Sequence, residues 1–198
     1  GIPSVAGLVL LARPILATLF QHGDFSAADV DMAGLSLTAY AIGLPGFMLI
    51  KVLAPAFFSR KDPRTPVRIA IIALVITLVL NLTFVLGMLK LGIPGAHAGL
   101  ALATSLGAWV NAGLLYRNLY RNRIYRPLPG WGRYAMQVLI AVVVLSALLY
   151  TGVPGIDAWL AREAMGRVLW LLLWVAAGIG TYFLVLRLAG VRFSAVWR

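Results

Sequence analysis

The residues with the clearest chemical potential form a basic block around a single acid. The stretch from Lys51 to Ala70 carries five cations and one carboxylate, and it lies between two long apolar runs. Cations of this kind bind phosphate groups, and a carboxylate among them can pair with an arginine. The candidates for substrate contact or gating are Arg13, Lys51, Arg60, Asp62, Arg64 and Arg68.

Asp62 has a specific predicted role in that block. We predict that it pairs with an arginine as a latch that rearranges between conformations, and that Thr65 caps the helix that follows. Lys51 either snorkels to the membrane interface or contacts an anionic substrate, and Arg13 either snorkels or faces a watery cavity. The sequence leaves these interpretations open.

A second group of polar side chains lies inside the apolar runs, where polar groups are costly unless they are paired. Thr77 and Asn81 are four residues apart, so they share one helix face. The predicted polar seam consists of Thr77, Asn81, Thr104 and Asn111. Such a seam binds an ion or a lipid headgroup, or it supplies hydrogen bonds between helices.

The composition argues against catalysis. The sequence has no cysteine, six acids, no glycine-rich phosphate loop, no metal-ligand spacing and no set of nucleophile, histidine and acid. We therefore expect no catalytic residue, no cofactor and no metal-binding group in this chain. The net charge of +11 lies mostly in short loops, which predicts anionic membrane lipids as partners and not nucleic acid.

The elements that must position these residues are membrane-spanning helices. Of the 198 residues, 62% are hydrophobic and 12% are charged, whereas soluble domains carry about 25% charged residues. A helix of about 20 apolar residues crosses the hydrocarbon core of a bilayer. The sequence therefore predicts an all-α integral membrane protein with six transmembrane helices. The predicted spans are 2–20, 32–58, 67–89, 95–116, 134–153 and 167–189.

The loops between these spans differ sharply in charge. One alternating set, at 59–68, 117–133 and 187–198, holds twelve basic residues and one acid. The other set, at 21–31, 90–98 and 151–167, holds three basic residues and five acids. Because cytoplasmic loops are enriched in lysine and arginine, we expect the first set and the C-terminus to be cytoplasmic.

Four segments form a recognisable pattern along the chain. The first is Phe20-Gln-His-Gly-Asp-Phe25 with the following Asp29, and the second is Lys51-Val-Leu-Ala-Pro-Ala-Phe-Phe-Ser-Arg60 with Asp62 and Arg64-Thr-Pro-Val-Arg68. The others are Asn111-Ala-Gly-Leu-Leu-Tyr116 and Pro129-Gly-Trp131. Together these segments resemble the MurJ/MviN family of lipid II flippases, which belongs to the MOP exporter superfamily, and the resemblance implies a transporter and not an enzyme. The resemblance covers essentially the whole chain.

This resemblance implies a fold and a division of the chain. The six spans would correspond to helices nine to fourteen of a fourteen-helix inner-membrane flippase. Residues 1–120, with four spans, would belong to the C-terminal transport lobe. Residues 121–198 would supply two additional helices that form a groove for a lipid tail. The chain begins with Gly1, and we expect it to be the C-terminal portion of a longer protein.

The resemblance also implies a substrate. The family moves lipid II, the undecaprenyl-pyrophosphate-linked peptidoglycan precursor, between the leaflets of the bacterial cytoplasmic membrane by alternating access. The expected partners are lipid II, anionic lipids and the N-terminal half of the same protein. Some members bind sodium, for which Asn81 and Thr104 are the matching positions. Val85 stands where an acid is expected one turn after the asparagine.

Two other functions remain open on the residues alone. One is a flippase for a different polyprenyl-linked saccharide, which competition between lipid-linked glycans would distinguish. The other is a membrane scaffold for cell-wall enzymes that transports nothing. For a scaffold, cross-linking the two lobes together would leave growth unharmed.

Overall fold

The computed structural model describes residues 1–20, 27–90, 96–125 and 130–191, and helices dominate these ranges. The all-α prediction is confirmed, since six helices are long and apolar enough to cross a membrane. In chain order the helices are α1 (Ile2–Phe20), α2 (Ala27–Leu53), α3 (Pro55–Phe58), α4 (Arg64–Lys90), α5 (Ala96–Arg121), α6 (Trp131–Gly152), α7 (Ile156–Leu160) and α8 (Ala164–Leu188).

Two helices extend by five residues beyond their predicted spans at one end because charged residues fit at helix ends, whereas the span predicted as 32–58 is divided into α2, which ends at Leu53, and the short α3. α2 begins at Ala27, five residues before the predicted start at 32, with Asp29 in its first turn. α5 ends at Arg121, five residues after the predicted end at 116, with that arginine in its last turn. Acids near a helix N-terminus and bases near a C-terminus are favoured by the helix dipole. The short helix α7 was not predicted.

The chain divides into two compact units. Unit 1 runs from Asp31 through α5, and unit 2 combines Ile2–Val30 with α6, α7 and α8. The sequence grouped the first span with the next three, whereas α1 packs against α6, α7 and α8. The compact units and the predicted division at residue 120 are therefore different partitions of the chain.

In unit 1, α5 is fastened to α2 by close backbone approach and two hydrogen bonds. The Oγ of Ser105, which is fully buried, donates to the carbonyl oxygen of Ala39 at 2.6 Å. The Nε1 of Trp109 donates to the carbonyl oxygen of Ile42 at 2.9 Å. A Cβ added at Gly43 would lie 2.8 Å from the Cα of Ser105. Only glycine allows this approach, so the two helices are held in one register.

The opposite face of α5 packs against α4 through other small residues. Gly107 lies against the side chain of Thr77, and Gly99 lies against Met88 and Phe84. The two helices therefore run antiparallel with a defined register. The small-residue packing predicted for this span is what brings the backbones together.

Both helices that end near the basic block close with the same hydrogen-bond pattern. After α3, the N–H of Asp62 donates to the carbonyl of Phe57, and Lys61 adopts a left-handed conformation with φ 57°. After α5, the N–H of Ile124 donates to the carbonyl of Leu119, and Arg123 has φ 55°. This is the Schellman pattern, in which glycine normally takes the left-handed position. A residue with a Cβ costs roughly 1–2 kcal/mol there.

In unit 2, the short helix α7 is fixed to α1 by a buried hydrogen-bond chain. The Nε1 of Trp159, a side chain with 0% exposure, donates to the Oγ1 of Thr18 at 3.0 Å. That hydroxyl donates in turn to the carbonyl oxygen of Pro14 at 2.6 Å. The ring packs with Ala17 and Val30. A tryptophan with its only donor satisfied is a stable anchor in an apolar environment.

The close contact between α2 and α5 predicts that one added methyl group will lower the stability of the protein substantially. Replacing Gly43 with alanine should destabilise the protein by about 1–3 kcal/mol, because the new Cβ meets backbone that cannot move aside cheaply. The matched control is Gly113→Ala on α5, where a Cβ meets nothing within 4 Å. Thermal unfolding of the full-length protein in detergent measures both. Equal melting temperatures for the two variants would contradict this packing.

Candidate functional site

One end of unit 1 contains exposed cations from two parts of the chain. The α3–α4 segment and the end of α5 meet here over a buried cluster of Leu53, Phe57, Ile69, Leu115 and Leu119. We call this surface the basic end. Its exposed cations are Arg60, Lys61, Arg64, Arg68, Arg117, Arg121 and Arg123. A surface with this charge attracts phosphate groups and anionic headgroups.

Asp62 serves a local structural role in the basic end. One carboxylate oxygen accepts a bond from the backbone N–H of Thr65 at 3.1 Å, and the other accepts from its hydroxyl at 2.6 Å. Asp62 is thus the residue that caps the start of α4, and the prediction that Thr65 caps it is wrong. An aspartate two residues before Arg64, with Pro63 between them, is well placed to satisfy free N–H groups at a helix start.

The bonds from Thr65 also set the charge state of this carboxyl group. They hold the pKa of Asp62 below its ordinary value, and the nearby charge of Arg68 acts in the same direction. Within the described residues, the hydrogen bonds of Asp62 go to Thr65, where the predicted latch expected an arginine. A rearrangement that pairs Asp62 with an arginine stays a prediction.

Two further candidate cations lie on α2 and α1. Lys51 is exposed in the last turn of α2, in unit 1. Arg13 is exposed on α1, in unit 2, directly before the buried Pro14. The two belong to different compact units, so they are described separately and not as one site.

The predicted polar seam is divided by the packing of α4 on α5. Thr77 lies against Gly107, and the two helices are antiparallel, so Asn81 and Asn111 lie on opposite sides of that contact. The Thr77 hydroxyl donates to the carbonyl of Ala73 in its own helix. Thr104 likewise donates to its own helix, at Leu100. The four residues therefore do not converge on one point.

Two amide oxygens in this region lack partners. The Oδ1 atoms of Asn81 and Asn111 are buried and accept no hydrogen bond from the described part of the chain. A sodium ion at the implied site would receive the neutral oxygens of Asn81 and Thr104, whereas α4 and α5 carry no Asp or Glu. No group of three potential metal-ligating His, Asp or Glu residues occurs in the described ranges. A sodium site at Asn81 and Thr104 would therefore rest on neutral oxygens within these two helices, and it stays a prediction.

Unit 2 contains an open apolar groove of about 440 Å³. Its walls come from α1, α6 and α8, and its base includes the mutually packed Leu11, Leu145 and Leu149. Gly7 lines it from α1, with nothing within 4 Å of where its Cβ would be. Further lining residues are Leu8, Ile15, Val175, Ile179 and Phe183. A groove of this chemistry accepts hydrocarbon chains and repels charge.

Three features of these sites were not predicted from the sequence. The left-handed conformations of Lys61 and Arg123 were not predicted, since neither residue is a glycine. The groove was predicted on the last two spans, without the wall that α1 supplies. Trp159 was not predicted as a buried anchor. Most of the motif at 20–25 and the Pro129 position lie outside the described residues.

Comparison with known proteins identifies similar sequences. The sequence model of the family described as lipid II flippase MurJ matches residues 1–166. A probable lipid II flippase MurJ of Vibrio cholerae serotype O1 is 39% identical over 98% of this chain. The corresponding protein of Haemophilus influenzae is 38% identical over 97%, and the lipid II flippase MurJ of Burkholderia cenocepacia is 36% identical over 97%.

The chain spans about 36% of the length of these relatives. A solved structure of lipid II flippase MurJ in an inward closed conformation superposes with a TM-score of 0.69. That superposition covers 93% of this chain and 34% of the other, at 24% sequence identity. It therefore supports the shared fold, and the partial coverage is consistent with the predicted numbering of the six spans as nine to fourteen.

The cap at Asp62 predicts a pH-dependent contribution to stability. Because its pKa is lowered in the folded protein, the contribution is present above the ordinary carboxyl pKa of about 3.9 and is lost as pH falls through the folded value. Asp62→Ala should lower the melting temperature at pH 7, and this difference from the native protein should shrink below about pH 4. Asp62→Asn, which keeps a capping oxygen, should lose less at pH 7. A constant difference across pH would contradict the assignment.

Proposed function

Because the chain belongs to the MurJ family of lipid II flippases, we propose that it is part of a transporter that moves lipid II across the bacterial cytoplasmic membrane by alternating access. The chain would supply half of the moving wall and the lipid-tail groove, and the remainder of the full-length protein would supply the other half. The proposal is for a transporter and not an enzyme, and it rests chiefly on family membership.

The physical need for such a protein is large. A pyrophosphate with a sugar–peptide headgroup cannot enter hydrocarbon cheaply, because its charges lose their water. A cavity must replace that water while the polyprenyl tail remains in an apolar environment. The groove of unit 2 has the chemistry for the tail. At about 440 Å³ it lies within the usual range for ligand sites, roughly 300–1,000 Å³, and would hold a section of a long chain.

We assign a separate role in transport to each of the two predicted domains. Residues 1–120 would contribute to the C-terminal transport lobe, and α6 and α8 would be the two additional helices. The contact of α1 with both of them supports a groove that links these regions within unit 2. The packing of α5 against both α2 and α4 supports movement of unit 1 as a body during transport.

The orientation follows from charge. We propose that the basic end faces the cytoplasm, together with the C-terminus, because the basic loops alternate with the acidic ones along six spans. The candidates for contact with the anionic headgroup or for gating remain Arg13, Lys51, Arg60, Asp62, Arg64 and Arg68. The unpartnered Oδ1 atoms of Asn81 and Asn111 support a polar role for the seam, as two separate points.

Filling the groove tests the proposed function. Gly7→Phe places a ring in the groove from a position with free space, and it should strongly reduce cross-linking of a photoreactive polyprenyl lipid II analogue and lower the transport rate. The matched control is Gly180→Phe on α8, which also has free space but does not line the groove. This control should behave like the native protein.

Two outcomes distinguish an error in the proposed function from an error in the assignment of the groove. If depletion of the full-length protein in its host leaves lipid II reaching the outer leaflet at the normal rate, the proposed function is wrong. If depletion stops transport but both phenylalanine variants transport normally, the function stands and the groove is not the site of the tail.

A further inference from the structure

The two helix ends that form the basic end share a structural pattern that local folding does not require. The segments are Phe57-Phe58-Ser59-Arg60-Lys61-Asp62 and Leu119-Tyr120-Arg121-Asn122-Arg123-Ile124. In each, the fifth residue is a cation in the left-handed conformation, and its N–H donates to the carbonyl of the second residue at 3.0 Å. The sixth residue closes the motif on the first.

Another helix end shows what this motif looks like without a cation. α8 ends with the N–H of Val191 donating to the carbonyl of Leu186, and Gly190 takes the left-handed position with φ 86°. Glycine is the residue that this conformation favours, because it has no Cβ to strain. The fold therefore uses glycine in unit 2 and cations in both places at the basic end. A cation in this position accepts the steric cost of a Cβ in the left-handed conformation and adds a positive charge to the surface.

The two left-handed cations are exposed at the same end of unit 1. The first residue of each segment, Phe57 or Leu119, belongs to the same buried cluster, so both left-handed cations emerge at one end of unit 1. Both side chains are exposed. Asp62, the acid in the described part of the basic end, directs its carboxylate oxygens to Thr65 and brings one negative charge against seven cations.

An exposed aromatic side chain accompanies each cation. Phe58 is 55% exposed and Tyr120 is 57% exposed, and each is the residue whose carbonyl accepts the bond from the cation. Tyr120 also stacks on Tyr116, with ring centroids 6.2 Å apart. Aromatic rings favour the boundary between headgroups and acyl chains, where a neighbouring cation reaches phosphate. The Gly190 end lacks this combination, since the corresponding residue is Arg187.

We propose that Lys61 and Arg123 are two anchor points for the phosphate groups of anionic phospholipids, held in place by the Schellman motifs that end α3 and α5. The aromatic partner of each cation would rest against the upper acyl chains. This assignment concerns the lipids around the protein, and it is independent of which substrate the full-length protein transports.

The test exploits the fact that glycine suits both positions. In Lys61→Gly/Arg123→Gly the backbone keeps a conformation that glycine favours, while each cationic side chain is removed. Purified full-length protein in an uncharged detergent is titrated with phosphatidylglycerol, and bound lipid is counted by native mass spectrometry. Binding should weaken about twenty-five-fold, because each cation contributes a factor of about five. Phosphatidylcholine binding, measured in parallel, should change little.

Two control variants separate a site from diffuse charge. Lys61→Arg/Arg123→Lys keeps both charges and should bind phosphatidylglycerol as the native protein does. Arg64→Gln/Arg117→Gln removes two other cations from the basic end and should weaken binding clearly less than the glycine variant. If it weakens binding equally, or if the glycine variant binds normally, the proposal is wrong.

Melting in lipid-free detergent gives an independent reading. If the cations are present for lipid and not for folding, the glycine variant should melt at the same or a higher temperature than the native protein. A lower melting temperature would show that the cations stabilise the helix ends themselves through the helix dipole, and it would overturn the proposal.

Discussion

The absence of hydrogen-bonding solvent in hydrocarbon is the constraint on which the whole structure depends. Every backbone polar group inside a bilayer needs a partner in the protein, which makes each span a helix and sends charge to the ends. Polar side chains inside the spans therefore turn to backbone carbonyls. Thr77 and Thr104 bond within their own helices, and Ser105 and Trp109 bond to α2. The last two bonds fasten the helices that would have to move together during transport.

The same constraint explains why small residues control the packing. Apolar side chains gain little by leaving lipid for a helix neighbour, so close backbone approach and hydrogen bonds must hold the helices together. Gly43 and Gly107 provide that approach on two faces of α5. In unit 2, the buried Trp159 and Thr18 hold α7 on α1, beside the groove that we assign to a lipid tail. The chain thus contains tightly packed helices in unit 1 and an open apolar groove in unit 2.

The sequence predicted the span number, the helical class and the family because these depend on composition and on local motifs. It could not predict contacts set by three-dimensional packing. Thr77 and Asn81 share a helix face as expected, yet the register at Gly107 separates Asn81 from Asn111. The cap that Asp62 forms on α4, through two bonds from Thr65, was likewise not predicted, and the pairing of Asp62 with an arginine in another conformation stays a prediction. The left-handed backbones of Lys61 and Arg123 could not be predicted, because neither position carries a glycine.

Orientation in the membrane is the claim that joins the loop charges, the basic end and the proposed transport. Because this chain contains no cysteine, single cysteines can be placed in a cysteine-free form of the full-length protein. The informative positions are Ser59 and Asn122 at the basic end, and Thr151 and Glu163 in the 151–167 segment, which the proposed orientation assigns to the other side of the membrane. A membrane-impermeant maleimide added to intact cells should label only cysteines at Thr151 and Glu163, with Ser59 and Asn122 labelled after the membrane is permeabilised. Labelling of Ser59 or Asn122 in intact cells would contradict the account.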